Sequence, residues 1–254
     1  MTSPLLRAEQ AGGVDRLVLA SGHNRNALSL QLLDELLAGI TRAVRSDSRA
    51  LVLDHEGPVF CAGVDLRERR QLGVDSDAHS TLLAQVIRQL WDCPKPVLCR
   101  VDGRVRGGGL AMVACCDIAV ASGRADFAFS EVRVGVAPAL AASVPIAKVP
   151  LGLLLPWLVT GEAFDAATAQ RMGLVARVAD DPEVSLGPEI AAILRGAPGA
   201  IRTVKRLARQ HASADVDTVL QDMEALSADL FRHPEAAEGM AAFLERRTPA
   251  WVPR

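Results

Sequence analysis

The sequence predicts an α/β protein with parallel strands, and three observations lead to this class. Short apolar runs rich in β-branched residues alternate with longer stretches whose apolar residues recur every three to four positions. Glycine turns and prolines separate several of these stretches. The chain has 254 residues, half of them apolar, which suffices for one sizeable core. Strand–turn–helix repetition of this kind favours a parallel, right-handed arrangement.

The amino-terminal part begins this alternation. Val14–Leu19 is a strand candidate. A helix is predicted after Ser29, and one of its faces carries Leu30, Leu33, Leu37 and Ile40. Ala50–Leu53 is a second β-rich run, and it leads into a tight turn at Cys61–Asp65.

The middle of the chain repeats the pattern. A helix is predicted from about His79 to Trp91, and it ends before a Pro-Lys-Pro sequence. Val97–Val101 then reads as a buried strand that enters the glycine triplet Gly107–Gly109. The apolar run Leu110–Cys116 predicts a short buried helix directly after the triplet.

The carboxyl-terminal part is predicted to be helical. An apolar stripe with a 3.6-residue period runs through Val216, Val219, Leu220, Met223, Leu226 and Leu230. Pro234 opens a last helix that carries Met240 and Phe243. We therefore expect a core at residues 1–195 and a helical segment at residues 196–254.

Composition excludes several partners and predicts a compartment. The net charge of −2 provides no field suited to nucleic acid or to an anionic membrane. No leader, transit segment or run of about twenty apolar residues is evident, which predicts a cytoplasmic protein.

An odd number of cysteines in apolar settings indicates buried thiols rather than disulfides: Cys61, Cys93, Cys99, Cys115 and Cys116.

Two glycine turns are the first candidate functional features. Gly107–Gly109 allows close approach of the backbone to a ligand and positive φ. The first amides of the following helix have no acceptor and lie at the positive end of its dipole. They would face an anion or a carbonyl oxygen that gains charge. The same glycines also suit close packing of a helix on a strand, so both interpretations stay open.

Glu131 is the third candidate feature, because it lies within the apolar stretch Phe127–Gly135. If it is desolvated, its pKa is raised, which suits proton transfer near neutrality. It can instead pair with Arg133 at a strand edge. The residues alone leave both alternatives open.

Five segments in this order resemble the crotonase superfamily, the enoyl-CoA hydratases and isomerases: Phe60–Leu66, Val101–Ile118, Phe127–Gly135, Leu158–Val175 and Phe243–Pro249. The resemblance spans the chain from about Val14 to Trp251. It implies a crotonase-like spiral of ββα units with a carboxyl-terminal helical segment. It also implies an acyl-CoA thioester substrate and a homotrimer or dimer of trimers, with residues 196–254 as the trimerisation segment.

The resemblance assigns roles residue by residue. It places the two oxyanion-hole N–H groups at Val64 and Gly108, and the second catalytic glutamate at Glu131. The alternative role of Val64 is packing in the core. The chain departs from the family at Ala111, where many hydratases carry their first glutamate. The resemblance also assigns five residues to contacts with CoA: Ala62, Arg25, Arg67, Phe243 and Arg246. For Arg67 and Arg246, the alternative is a charged side chain that contacts only solvent. The family's usual Asn-Arg-Pro triplet is absent, so His23 or Arg25 would replace a lysine contact.

Two classes of function follow. The first is an enzyme, namely a 2-enoyl-CoA hydratase, with a Δ3,Δ2-enoyl-CoA isomerase as the alternative that needs only one carboxylate. The second is an acyl-CoA-binding protein that lost catalysis with the first glutamate. Metal-ligand spacing, a Gly-x-Ser-x-Gly elbow and a Walker loop are all missing from the sequence, so we expect no metal and no cofactor besides the CoA of the substrate.

Overall fold

A computed structural model describes residues 4–72, 78–210, 234–235, 238, 241–242 and 245–252. Its strands are β1 (Leu6–Ala11), β2 (Val14–Leu19), β3 (Ala50–His55), β4 (Val59–Cys61), β5 (Val97–Val101), β6 (Arg104–Arg106), β7 (Ile118–Ser122), β8 (Asp126–Ala128), β9 (Phe164–Asp165) and β10 (Arg177–Ala179). Its α-helices are α1 (Leu30–Arg45), α2 (Leu66–Leu72), α3 (Ala78–Trp91), α4 (Gly108–Cys115), α5 (Ala139–Lys148), α6 (Leu151–Thr160), α7 (Ala166–Arg171), α8 (Pro182–Arg195) and α9 (Pro198–Gln210). Two 3₁₀ segments, Gly22–Asn24 and Ser130–Val134, are also present, and the described residues from 234 to 242 are helical.

The strands form two sheets. One has the order β1-β2-β3-β5-β7-β10 and is parallel apart from the β1–β2 pair. The other has the order β4-β6-β8-β9 and is parallel apart from the β8–β9 pair. Each of the pairs β3/β4, β5/β6 and β7/β8 places one strand in each sheet before a helical segment follows. This repetition confirms the predicted α/β spiral of ββα units.

Helix α1 begins where the sequence predicted, but its buried face is wider. The Ser29 hydroxyl oxygen accepts a hydrogen bond from the Leu32 N–H and caps the helix. Of the predicted face, Leu33 and Ile40 are fully buried, Leu37 is partly buried against the core and Leu30 is half-buried. The fully buried stripe also includes Leu32 and Leu36, because α1 packs against both the sheet and α3.

Helix α4 lies in the centre of the core. All eight of its residues are buried, since α3 and α5 cover it on either side and β4 and β6 pack against its start. This surrounding explains why the helix is apolar on every face. The five cysteines are buried and free, as predicted.

The carboxyl-terminal predictions are tested only in part. The apolar stripe at 216–230, Met240 and Phe243 lie outside the described residues. Helix α8 ends at Arg195 and α9 begins at Pro198, but a division into two domains at this point stays a prediction. Within the described parts of the chain, no helix combines the length and the apolar character needed to cross a bilayer.

Candidate active site

The first turn follows strand β4 and leaves one backbone amide free. Gly63 has a φ of 89°, which permits the turn. Leu28 and Val64 form an isolated parallel bridge, in which the Leu28 N–H donates to the Gly63 oxygen at 2.8 Å and the Asp65 N–H to the Leu28 oxygen at 3.3 Å. Among the described residues, none accepts a hydrogen bond from the Val64 N–H.

The second turn follows strand β6 and begins helix α4. Gly107 has a φ of 54° and its N–H donates to the Ala128 oxygen at 3.4 Å. Gly108 is the first helical residue, so its N–H has no acceptor within the helix, nor elsewhere among the described residues. A Cβ on Gly108 would lie 2.7 Å from the Leu83 Cδ2 and 2.9 Å from the Leu28 Cδ1. The helix start is therefore held close to both side chains.

The two turns lie against each other. Strands β4 and β6 are parallel neighbours, so their carboxyl ends meet at one edge of the sheet. A Cβ on Gly107 would lie 3.2 Å from the Cα of Gly63. Two free N–H groups, those of Val64 and Gly108, thus belong to adjacent turns, as an oxyanion hole requires. The helix dipole of α4 adds positive potential at Gly108.

Glu131 joins this edge from the next strand of the same sheet. It lies in the 3₁₀ segment that follows β8, which is the parallel neighbour of β6. Its Oε1 lies 3.3 Å from the position that a Cβ on Gly107 would take. Its Oε2 is buried and has no hydrogen-bond partner. The burial raises the pKa of this carboxyl above its ordinary value.

Arg133 does not neutralise Glu131. Its guanidinium pairs with Glu162 on the protein surface. Of the two alternatives that the sequence left open, the structure therefore has the desolvated carboxyl and not the Arg133 pair. Ala111, on α4, is fully buried within the apolar core and offers only a methyl group.

A groove with a volume of about 840 Å³ opens beside the first turn. It brings together four of the residues predicted for the site: Arg25, Ala62, Val64 and Arg67. His23 also lines it. Gly108 and Glu131 are not part of its lining among the described residues; both lie next to Gly107, which packs against Gly63 of the first turn. The lining contains two arginines, Arg25 and Arg67, and two carboxylates, Asp65 and Glu68; the arginine guanidinium suits a phosphate group.

The remaining predicted CoA residues are not brought to the groove. Arg246 is exposed near the carboxyl end with a φ of 54°, and it does not line the groove. Phe243 lies outside the described residues. Within the described part of the chain, no group of three or more His, Cys, Asp or Glu side chains could hold a metal ion.

Sequence reasoning missed Asn26, which shapes the groove. Asn26 is buried with a φ of 54°. Its amide donates to the Val59 oxygen at 2.8 Å and its Oδ1 accepts from the Ser21 N–H at 2.8 Å. These bonds fix the loop that presents Arg25. Asparagine tolerates positive φ better than most residues, but the sequence carries no sign of the distant partner on β4.

A second missed feature is the pair formed by Glu68 and His79. The His79 Nε2 lies 2.8 Å from the Glu68 Oε2, which also accepts from the Leu30 N–H at 2.8 Å. His79 is buried, whereas Glu68 lines the groove. The pair ties α2 to α3 and to the start of α1. The two residues are eleven positions apart, so no local pattern indicates the contact.

Comparisons with known proteins agree on one family. A family model described as enoyl-CoA hydratase/isomerase matches residues 9–254. The zebrafish (Danio rerio) mitochondrial enoyl-CoA hydratase domain-containing protein 3 is 34% identical over 98% of this chain and 88% of its own length. The crystal structure of an enoyl-CoA hydratase from Shewanella pealeana has a TM-score of 0.92 at 29% identity, covering 97% of this chain and 96% of that one. That of human enoyl-CoA hydratase domain-containing protein 3 has a TM-score of 0.91 at 28% identity, covering 97% and 100%.

Proposed function

Since the chain belongs to the enoyl-CoA hydratase/isomerase family, we propose that it is an enzyme that hydrates 2-enoyl-CoA thioesters. One observation carries the proposal. The Glu131 carboxyl has an unpartnered, buried Oε2, and its Oε1 lies 3.3 Å from the position of a Cβ on Gly107, the residue before the free Gly108 N–H. A buried acid without a partner costs stability, and a protein that only binds acyl-CoA has no need of it.

In this mechanism the thioester oxygen lies between the N–H groups of Val64 and Gly108. Both donate to it as negative charge develops on the oxygen, and each such donor contributes roughly 2.7–4 kcal/mol to the transition state. The CoA portion lies along the groove, where Arg25 and Arg67 bind its phosphates. Phe243 and Arg246 of a neighbouring subunit would complete the CoA site.

Glu131 transfers the proton. As a carboxylate it takes a proton from water while the hydroxide oxygen bonds to C3 of the enoyl group. The electron pair of the double bond moves towards the thioester, and the proton held by Glu131 then passes to C2. The raised pKa of Glu131 suits both steps, because an acid–base group works best when its pKa is near the operating pH.

The isomerase is the second candidate, and the buried methyl of Ala111 favours it. Moving a double bond from C3 to C2 needs only one group that removes a proton from C2 and returns it to C4. Glu131 alone can do this. An acyl-CoA-binding protein without catalysis is the third candidate, and the desolvated Glu131 carboxyl argues against it.

The proposal includes an assembly and a compartment. We propose a homotrimer or a dimer of trimers, supported by an exposed apolar face on α6 formed by Leu151, Leu155 and Val159. The cytoplasmic location stays a prediction from the sequence; the zebrafish relative is named as mitochondrial.

The test is mass spectrometry of the protein incubated separately with short 2-enoyl-CoA and 3-enoyl-CoA. Gain of one water on the 2-enoyl substrate supports the hydratase; conversion of the 3-enoyl substrate at constant mass, followed by chromatography, supports the isomerase. Glu131→Gln should lose turnover of either substrate and keep CoA binding. Glu162→Gln, an exposed carboxylate paired with Arg133, is the matched control and should keep turnover. Inactivity of the wild-type protein on both substrates would contradict the proposed function.

A further inference from the structure

The Cys61 side chain lies between the two turns of the candidate oxyanion hole. It is fully buried at the end of β4. Its Sγ accepts a hydrogen bond from the Gly63 N–H at 3.4 Å. A Cβ on Gly109 would lie 2.7 Å from the Cys61 Cβ and 3.1 Å from the Sγ. The start of α4 therefore packs directly on this cysteine.

The thiol is not a nucleophile. Burial raises its pKa to about 12, which outweighs the lowering by the Gly63 N–H, and the nearby Glu131 carboxylate raises it further. The sulfur therefore stays protonated at neutral pH, and the thiolate is the reactive form of cysteine. What Cys61 offers the site is a hydrogen-bond acceptor of fixed position.

We propose that Cys61 is a positioning residue that sets the spacing of the two oxyanion-hole N–H groups, because it accepts a hydrogen bond from the first turn while the second turn packs on its side chain. The inference rests on the proposed roles of Val64 and Gly108. Gly63 precedes Val64 in the chain and Gly109 follows Gly108. The residue bonded to the sulfur and the residue packed on it are therefore the direct neighbours of the two proposed oxyanion donors. A shift of about 1 Å in such a site can lower the rate about a hundredfold.

Variants at Cys61 separate its acceptor role from its bulk. Cys61→Ala removes the acceptor and Cys61→Ser keeps one. We expect Cys61→Ala to lower kcat about tenfold to hundredfold with little change in KM, and Cys61→Ser to remain near wild type. Cys99→Ala removes a fully buried sulfur from β5 and is the control for cavity formation; it should lower the melting temperature and keep kcat. If Cys61→Ala does not fold, Cys61→Val, which also lacks an acceptor, takes its place with the same expectations.

Calorimetric binding of butyryl-CoA and of free CoA makes the test independent of turnover. Only butyryl-CoA has a thioester oxygen for the hole. The acceptor-free variant should bind butyryl-CoA several-fold more weakly than wild type and bind free CoA equally well. If the wild-type protein turns over neither enoyl substrate, the proposed function is wrong. The two titrations would still show whether Cys61 positions the N–H groups, because they do not depend on turnover. Equal kcat and equal butyryl-CoA affinity in the folded acceptor-free variant would overturn the inference.

Discussion

Glu131 illustrates how one residue's environment determines its chemistry. The sequence shows a carboxylate among apolar neighbours with an arginine two positions later. That arginine turns outward to Glu162, so the acid keeps a buried oxygen without a partner. Arg133 could pair with Glu131 or with Glu162. Because Glu162 lies on a different segment of the chain, no local sequence pattern predicts that Arg133 binds it.

The raised pKa of Glu131 predicts how stability depends on pH. The folded chain keeps this proton over a pH range in which the unfolded chain has lost it, so stability declines as the pH rises through the raised pKa. Glu131→Gln removes the buried charge. We expect it to raise the melting temperature at pH 8 and to have a much smaller effect at pH 4, where the carboxyl is mainly protonated in both states.

Thermal unfolding at the two pH values, followed by circular dichroism, measures this difference. Glu162→Gln provides the comparison, since its carboxylate is exposed and should show no gain at pH 8. A Glu131→Gln protein that is no more stable than wild type at pH 8 would show that the carboxyl is not desolvated.

At the scale of elements, the sequence predicted most of what positions the site. The strands Val14–Leu19 and Val97–Val101 have the predicted bounds, because a short apolar run between two turns fixes where a strand can begin and end. The helix after the glycine triplet is also confirmed. Asn26 was missed because its hydrogen-bond partner lies on strand β4, and Cys61 because the helix start that packs on it is distant in sequence. Periodicity reveals burial, whereas such hydrogen bonds depend on how the elements pack.

A side chain at Gly108 would displace the leucine side chains that pack on the start of α4. An added methyl would overlap Leu83 and Leu28 and displace the N–H of Gly108. We expect Gly108→Ala to destabilise the fold by about 1–3 kcal/mol and to lower kcat more than KM changes.

Gly187→Ala is the matched control, because Gly187 lies in α8 and an added Cβ would meet nothing within 4 Å. Replacing this glycine should stabilise the fold by roughly 0.5–1 kcal/mol and keep kcat. Steady-state kinetics and urea unfolding measure both effects. Full activity in Gly108→Ala would argue against an oxyanion donor at this position.

At the scale of the whole molecule, the site lies where three parallel strands end together. Gly63, Gly107 and Ser130 follow β4, β6 and β8, which are neighbours in one sheet. Two turns with free amides and one acid therefore meet at a single edge, although some seventy residues of sequence separate the first from the last. The spiral of ββα units brings them together, and the family resemblance, not the periodicity, predicted that they would meet.

The exposed apolar face of α6 predicts self-association. Leu151, Leu155 and Val159 recur every four residues and are all exposed. We expect the wild-type protein to sediment as a trimer or hexamer and Leu155→Glu to sediment as a smaller species. Val184→Glu replaces an exposed apolar residue of α8 and should leave the mass unchanged. Analytical ultracentrifugation distinguishes these outcomes, and an unchanged mass in Leu155→Glu would exclude this face from the assembly.

The most direct test of the central claim, that Glu131 transfers a proton at the carbon beside the thioester, is turnover in D₂O. The substrate that the wild-type protein converts would be incubated with wild type, Glu131→Gln and Glu162→Gln, and deuterium bound to carbon would be measured by mass spectrometry. We predict one deuterium at C2 of the hydrated product with wild type and Glu162→Gln, and none with Glu131→Gln. Equal incorporation by Glu131→Gln and wild type would contradict the account.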